Sequence, residues 1–319
     1  MRMPREFLSC DWGTSSFRLR LVQNGEIVRE SVDKTGCRSI HEEAVASGEI
    51  RPVLYERFLR KVLSNWPPSE NPLPLVISGM ASSSIGWIEV PYAPVPLKLN
   101  ASNLRYEKVS WNRPGWLGET YLISGVATEN EIMRGEETEA IGLLDEESGA
   151  TPSVLVLPGT HSKHVFVANG QIENISTYMT GELFEVLTRY SILKATVDCS
   201  TLFAAKPADL HAFDVGVRQG AQAGLGASLF QARARVVLKQ VPATENAWFL
   251  SGVLIGAEIA DSVRTTPKRR FLIGGAKALR GLYAQAIRVL ELWSWHEFND
   301  DLVEKAVPNA HALFLNHQP

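Results

Sequence analysis

Residues 10–18 read "CDWGTSSFR". One acid and a run of glycine and hydroxyl residues stand where a short apolar strand, Phe7 to Cys10, runs out. Beyond them Phe17, Leu19 and Leu21 alternate with Arg18 and Arg20, the period of two of a half-buried strand. Asn24-Gly25 comes next. Both residues tolerate positive φ, so the pair marks a tight hairpin into a third strand at Ile27 and Val28. The turn between the first two strands is either an ordinary connection or a phosphate cradle. Small-polar turns leave backbone N–H groups uncovered and add hydroxyl donors.

The same grammar returns halfway along the chain, in "SVLVLPGTHSKHVFVANGQIENISTYMTGE". Val154 to Leu157 reads as a buried strand and "PGTHSK" as a small-polar turn. His164 to Ala168 is a second strand, Asn169-Gly170 a second hairpin signal, and Gln171 to Tyr178 a third strand. The letters are not shared, so the repeat is one of architecture. It predicts an α/β protein of two similarly built lobes, 1–148 and 149–319, each a mixed sheet opening with an antiparallel meander and flanked by helices. The acidic, Gly/Pro-bearing "DEESGATPS" marks the boundary.

Between the copies, "RPVLYERFLRKVLSNW" predicts a helix with Val53, Leu54, Phe58, Leu59 and Val62 on its apolar face. "LVISGM" is a strand ending at Gly79, and "ENEIMRGEETEAIGLLDEES" reads as loop then helix. In the second half "GELFEVLTRYSIL", "VGVRQGAQAGLGASLFQARA" and "NAWFLSGVLIGAEIADSV" are helical. "RRFLIGG" is a strand ending in glycines, and "AKALRGLYAQAIRVL" is the helix after it.

The 319 residues are 45% hydrophobic and 21% charged, the make-up of an ordinary globular protein. A net charge of -3 gives no basic footprint, which argues against nucleic acid as a partner. No apolar run is long enough to span a bilayer, and "MRMPREFLSCDWG" lacks the apolar core of a signal peptide. Cys10, Cys37 and Cys199 are odd in number and scattered. They suggest neither a disulfide framework nor a cysteine zinc site, and fit a reducing cytoplasm. Composition leaves homodimerisation open.

Two small-polar turns facing each other across a cleft would suit a nucleotide's phosphates. Asp11, at a strand end, suits Mg²⁺ held through water. Gly274-Gly275, at another strand end before a helix, suits close approach of an adenosine. Neither a G-x-x-x-x-G-K-[ST] loop nor a G-x-G-x-x-G fingerprint occurs.

The motifs "DWGTSSFR", "SGMASSSIGW", "PYAPVP", "IMRGEETEAIG", "LPGTHSKHV", "YMTGELFEVL" and "FLSGVLIGAE" follow one another over most of the chain. In this order they resemble the 2-dehydro-3-deoxygalactonokinase family, of the superfamily of sugar kinases, actin and heat-shock ATPases. The resemblance implies a two-lobe, ribonuclease H-like fold. It also implies ATP- and Mg²⁺-dependent phosphorylation of 2-dehydro-3-deoxy-D-galactonate at its terminal hydroxyl, in galactonate breakdown. Carried onto this chain, Asp11 is the acid of the first phosphate loop, lined by Gly13, Thr14 and Ser15. Gly159, Thr160, His161, Ser162 and Lys163 form the second phosphate hairpin. Gly274, Gly275 and Lys277 fall at the adenosine segment.

Phosphoryl transfer to an alcohol needs the hydroxyl positioned, often by a carboxylate that takes its proton. Glu136 and Glu137 are the candidates, with Asp11 behind them. Adjacent helical residues point about 100° apart, so one of the two glutamates is expected to face the substrate. Many kinases of the superfamily use an aspartate instead. An anionic substrate calls for an arginine fork or an array of hydroxyls, and Arg134 and Ser82, Ser83 and Ser84 are the candidates. His161 and His164 lack a third ligand nearby for zinc. Trp12 and Trp87 read as packing groups, and Glu182 as either a helix-start acid or a site residue. The resemblance implies a last helix that packs back on the first lobe, and Pro308 predicts that this helix is shortened or begins there. Rivals to this reading are a kinase for another keto-deoxy sugar acid, such as the gluconate epimer, and a sensor that binds sugar acid and nucleotide without turnover.

Overall fold

Strand β1 (Glu6–Trp12) turns into β2 (Phe17–Gln23) and then β3 (Glu26–Asp33), an antiparallel meander with Cys10 opposite Leu19 and Asp11 opposite Arg18. Asn24 and Gly25 have φ of 50° and 84°, the two positive values that a two-residue hairpin matching strand twist requires. β4 (Leu73–Gly79) lies parallel to β1 with Trp12 opposite Gly79, and β5 (Leu117–Ile123) lies parallel to β4. The sheet order is β3-β2-β1-β4-β5, with a short edge strand beyond. The computed structural model describes residues 6–144, 148–202, 206–239, 241–266 and 269–318.

Alternation along β1 sends Leu8, Cys10 and Trp12 to one face. There they form a core with Ile40 of α1 (Cys37–Ser47) and with Tyr55 and Leu59 of α2 (Arg51–Leu63). Trp12 sits edge-on to Phe17 and to Tyr55, 4.8 Å from each ring centre. Phe7 packs in a separate cluster with Val22 and Ala312. Asp11 shares the alternation of Phe7 and Ser9, and so lies across the sheet from the aromatic core. Along α2, Val53 is 40% exposed and Tyr55 and Leu63 are buried, so the apolar face is turned from the expected one. α3 (Glu136–Leu143) follows an N-cap at Gly135.

The second meander is β6 (Ser153–Leu157), β7 (Ser162–Ala168) and β8 (Gln171–Tyr178), and Asn169 and Gly170 repeat the hairpin with φ of 54° and 71°. After α4 (Thr180–Tyr190) come α5 (Pro207–Ala223), α6 (Leu225–Lys239) and α7 (Ala243–Thr265). β9 (Arg270–Ile273), α8 (Lys277–Val289) and β10 (Trp295–Glu297) complete this half. The single helix expected over "VGVRQGAQAGLGASLFQARA" is two, broken at Gly224, whose φ is 72°. β9 pairs parallel to β6 and β10 parallel to β9, giving the order β10-β9-β6-β7-β8. Both sheets therefore run first, second and third strand to one side and fourth and fifth to the other. This is the duplicated ribonuclease H-like arrangement, mixed α/β in each half. α5 packs on α7 through Gly216, Gly220, Gly252 and Gly256, where any Cβ would strike the facing backbone.

By their contacts, residues 1–151, 167–175 and 301–319 form one unit and 152–166 with 176–300 the other. The first segment ends at 151, beside the boundary expected at 148/149, and two later segments, 167–175 and the last helix from 301, belong to the first unit; residues 145–147 of the acidic stretch lie outside the described residues. The last helix, α9 (Asp300–Leu315), neither stops nor starts at Pro308 but carries it in its interior. A proline there leaves the carbonyl four residues back without its N–H donor. That carbonyl, Glu304 O, accepts from Arg20 Nη1 at 2.9 Å instead. α9 also packs closely on α3, where a Cβ on Gly142 would overlap the Ala306 backbone. Among the described residues no helix is long and apolar enough to cross a membrane.

Candidate active site

In the first unit the turn after β1 is fixed by backbone bonds. Gly13 N–H donates to Ser16 O at 2.9 Å. The first N–H groups of α1 donate back to the turn, Cys37 to Gly13 O at 3.0 Å and Arg38 to Thr14 O at 3.1 Å. Gly36 makes this possible by close approach, since a Cβ there would overlap Thr14 O and the Ser15 backbone. Ser15 and Ser16 are exposed and Thr14 half-buried, so the turn keeps a free polar edge.

Asp11, one residue before the end of β1, is paired with Ser78 of β4. Burial pushes its carboxyl above the ordinary value of 3.8, against the pull of Arg18 and Arg20. Among the described residues its carboxylate has no hydrogen-bond or ion-pair partner, and the hydroxyl of its strand neighbour Ser78 is also buried without one. Gly135, with φ of 114°, brings the start of α3 to this strand end: a Cβ on it would lie 3.6 Å from the Gly79 Cα.

The two glutamates at the start of α3 differ sharply. Glu137 is fully buried, its Oε2 accepting from Gly135 N–H at 2.8 Å and its Oε1 from Thr138 Oγ1 at 3.2 Å. Desolvation, with the charge of Glu136 beside it, pushes its carboxyl up to about 8. Glu136 is half-buried, and its Oε2 accepts from Arg134 N–H at 3.0 Å.

Arg134 is committed within the protein. Nη1 donates to both Ser82 O and Ser82 Oγ at 2.6 Å, Nη2 donates to Val90 O at 3.3 Å, and the guanidinium lies 4.1 Å from the Tyr92 ring centre. Ser82 Oγ in turn donates to Gly79 O at 3.1 Å, and Ser83 Oγ to Met80 O at 2.7 Å. Both hydroxyls therefore face inward, in contrast to the expected substrate array, and of the three serines Ser84 alone is exposed.

The second unit repeats the turn. Glu182 N–H, at the start of α4, donates to Thr160 O at 3.0 Å, and Gly181 lies against the turn where a Cβ would come 2.5 Å from Gly159 O. Thr160 and His161 are exposed, and His161 Nε2 meets Glu182 Oε2 at 2.5 Å. Ser162 and Lys163 differ from expectation: strand β7 begins at Ser162, so both are buried rather than at a tip. Ser162 Oγ donates to Glu258 Oε1 at 2.7 Å, and Lys163 Nζ to Thr177 Oγ1 at 3.0 Å. At the third segment Gly274 N–H donates to Val156 O at 3.0 Å and Gly275 packs on Pro158, the residue before the turn. The Lys277 ammonium is paired with Asp300 at 2.7 Å.

Beside Gly159 opens a cavity of about 390 Å³, walled by Phe184, Trp248, Leu254, Leu279, Leu282 and Tyr283. Its size and apolar walls suit a flat heterocycle. Sequence reasoning missed the buried cluster next to it, centred on Glu258 with His164, Thr180 and Tyr283. The available signal was a lone acid in an apolar helix, "WFLSGVLIGAEIA". His164 is spent in this cluster, and among the described residues no group of three or more His, Cys, Asp or Glu could hold a metal.

A model of the 2-keto-3-deoxy-galactonokinase family matches residues 11–307. The 2-dehydro-3-deoxygalactonokinase of Escherichia coli (strain K12) is 30% identical over 263 residues, 81% of this chain and 80% of that protein. A Rhizobium meliloti (strain 1021) protein also named as a 2-dehydro-3-deoxygalactonokinase is 33% identical over the same shares. A crystal structure from Sinorhizobium meliloti, described as a 2-dehydro-3-deoxygalactonokinase protein, is similar with a TM-score of 0.78 and 27% identity, covering 98% of this chain and 99% of that one. The chain belongs to the 2-keto-3-deoxy-galactonokinase family and is an ATP-dependent sugar-acid kinase.

Proposed function

We propose that this chain transfers the γ-phosphoryl group of ATP to the 6-hydroxyl of 2-dehydro-3-deoxy-D-galactonate, giving the 6-phosphate and ADP in galactonate catabolism. The observation that carries the mechanism is the contrast at the start of α3. Glu136 is reachable and oriented by the Arg134 N–H, whereas Glu137 is sealed with both oxygens occupied. Glu136 is the base: it accepts the hydroxyl proton as the new P–O bond forms and the bond from γ-phosphorus to the bridging oxygen breaks. Glu137 is a positioning residue that ties the Gly135 N–H to the first turn of α3. Arg134 braces the segment after β4 rather than gripping the substrate, and exposed Ser84 is left as that segment's substrate-facing hydroxyl.

In the first unit Thr14 and Ser15 offer hydroxyls and turn amides to phosphate. In the second unit Gly159, Thr160 and His161 do the same, and the cavity beside them takes the purine base. Asp11 fits Mg²⁺ by its chemistry: a partnerless carboxylate beside the orphaned Ser78 hydroxyl suits a hydrated cation held through water. When bound, Mg²⁺ supplies neutralisation of charge on the phosphate oxygens.

The test is ADP release with ATP-Mg²⁺ and a panel of keto-deoxy sugar acids, followed by phosphorus NMR of the product. The expected result is ADP with the galactonate derivative and a phosphate on C6. Equal or greater turnover of the gluconate epimer would reassign the substrate, and no ADP with any of them would favour the sensor.

A further inference from the structure

Glu258 does not border on the phosphate turn in sequence, yet three walls of the nucleotide site of the second unit end on its carboxylate. Oε1 accepts from Ser162 Oγ and from His164 Nε2, each at 2.7 Å. Oε2 accepts from Tyr283 OH at 2.7 Å and from Thr180 Oγ1. Ser162 is the first strand residue after the turn. Thr180 is the first residue of α4, next to the Gly181 and Glu182 that hold Gly159 and Thr160. Tyr283, from α8, lines the cavity together with Thr180 and Gly159. α7, which carries Glu258, is itself set backbone-to-backbone against α5.

His164 Nε2 lies 2.7 Å from Glu258 Oε1, and its Nδ1 lies 2.8 Å from Ser262 Oγ. Glu258 is 3% exposed and has two hydrogen-bond partners on each oxygen. A buried carboxylate is expensive unless its acceptor sites are filled, and here they are filled by groups from β7, α4 and α8.

We propose that Glu258 is the positioning residue of the nucleotide site, locking the second phosphate turn, the start of α4 and the cavity wall into one shape before the nucleotide arrives. It touches neither phosphate nor base and acts through Ser162, Thr180 and Tyr283. The inference deepens the phosphoryl-transfer reading, resting on its assignment of the nucleotide to this unit. Preorganisation of this kind raises affinity by removing the cost of ordering the turn on binding.

Calorimetric titration of ADP into the full chain tests it without needing sugar-acid turnover. Glu258→Gln keeps the shape but leaves an amide, which cannot accept from all four donors. It is expected to weaken ADP binding by about tenfold or more. Thr180→Val removes one donor and leaves the carboxylate in place, so it keeps the test alive if Glu258→Gln folds poorly. It should weaken ADP in the same direction, and the double variant should be no weaker than Glu258→Gln alone, because the two act as one unit. At saturating ATP the sugar-acid KM should stay at the wild-type value in each.

Wild-type ADP affinity in both single variants would overturn the proposal, as would a parallel rise in the sugar-acid KM, the mark of general loosening. A wild-type chain that binds no ADP would overturn it too. A wild-type chain that binds ADP but phosphorylates no sugar acid would count against the proposed reaction alone.

Discussion

Gly36, the N-cap of α1, and Gly181, the second residue of α4, make the same close approach in two different units. Each stands at the start of a helix, α1 or α4, and each lies so close to the preceding turn that a Cβ would strike its backbone. The neighbouring N–H groups then reach the turn carbonyls, Arg38 to Thr14 O at 3.1 Å and Glu182 to Thr160 O at 3.0 Å. In both units a helix start clamps the turn from behind and leaves its other edge exposed.

Gly36→Ala and Gly181→Ala should therefore each cost about 1–3 kcal/mol of stability, the range for forcing a methyl into a filled space. The atoms in the way are backbone, so relief must come from shifting the turn. The ATP KM is expected to rise in both variants. Urea unfolding and steady-state kinetics read the two effects, and a Gly→Ala variant with wild-type stability and KM would remove the clamp from the account.

Glu137 gives a pH signature. Its folded carboxyl titrates at about 8, against an ordinary value of 4.5. Between those values the folded state holds a proton that the unfolded state has released, so this group's contribution to stability falls as pH rises and levels off above pH 8. Glu137→Gln has no such proton. Its melting temperature relative to wild type should climb from pH 5 to pH 8, and a constant difference across that range would refute the buried, protonated assignment.

Arg20 and Pro308 should behave as a coupled pair. Arg20→Met leaves Glu304 O without a donor, a loss of about 1–3 kcal/mol. In a Pro308→Ala background the N–H of residue 308 can take that carbonyl, so the same change should cost less. Denaturant unfolding of the four chains measures the coupling, and strict additivity would contradict it.

The meanders were legible in the sequence because Asn24-Gly25 and Asn169-Gly170 report hairpins locally, and alternating apolar residues report strands. Helix α1 was not, since "CRSIHEEAVAS" has a weak apolar stripe, and its role depends on Gly36 meeting a turn twenty residues earlier. The positions of Asp11, of the Glu136–Glu137 pair and of the two turns could be proposed from motifs, but not which glutamate of the pair stays reachable. What could not be read is which side chains the interior consumes. Ser82, Ser83 and Ser162 look like ligand hydroxyls in the sequence, yet each donates to an acceptor of the protein itself. Such commitments are set by tertiary contacts, and so is the opposite fate of two adjacent glutamates.

The most direct measurement is the turnover rate of Glu136→Gln beside Glu137→Gln, with ATP-Mg²⁺ and 2-dehydro-3-deoxy-D-galactonate. If Glu136 takes the hydroxyl proton, its amide variant loses about 10²-fold or more in kcat at little change in sugar-acid KM, while Glu137→Gln loses far less. A Glu136→Gln chain with wild-type kcat, or a larger loss at Glu137→Gln, would contradict the account.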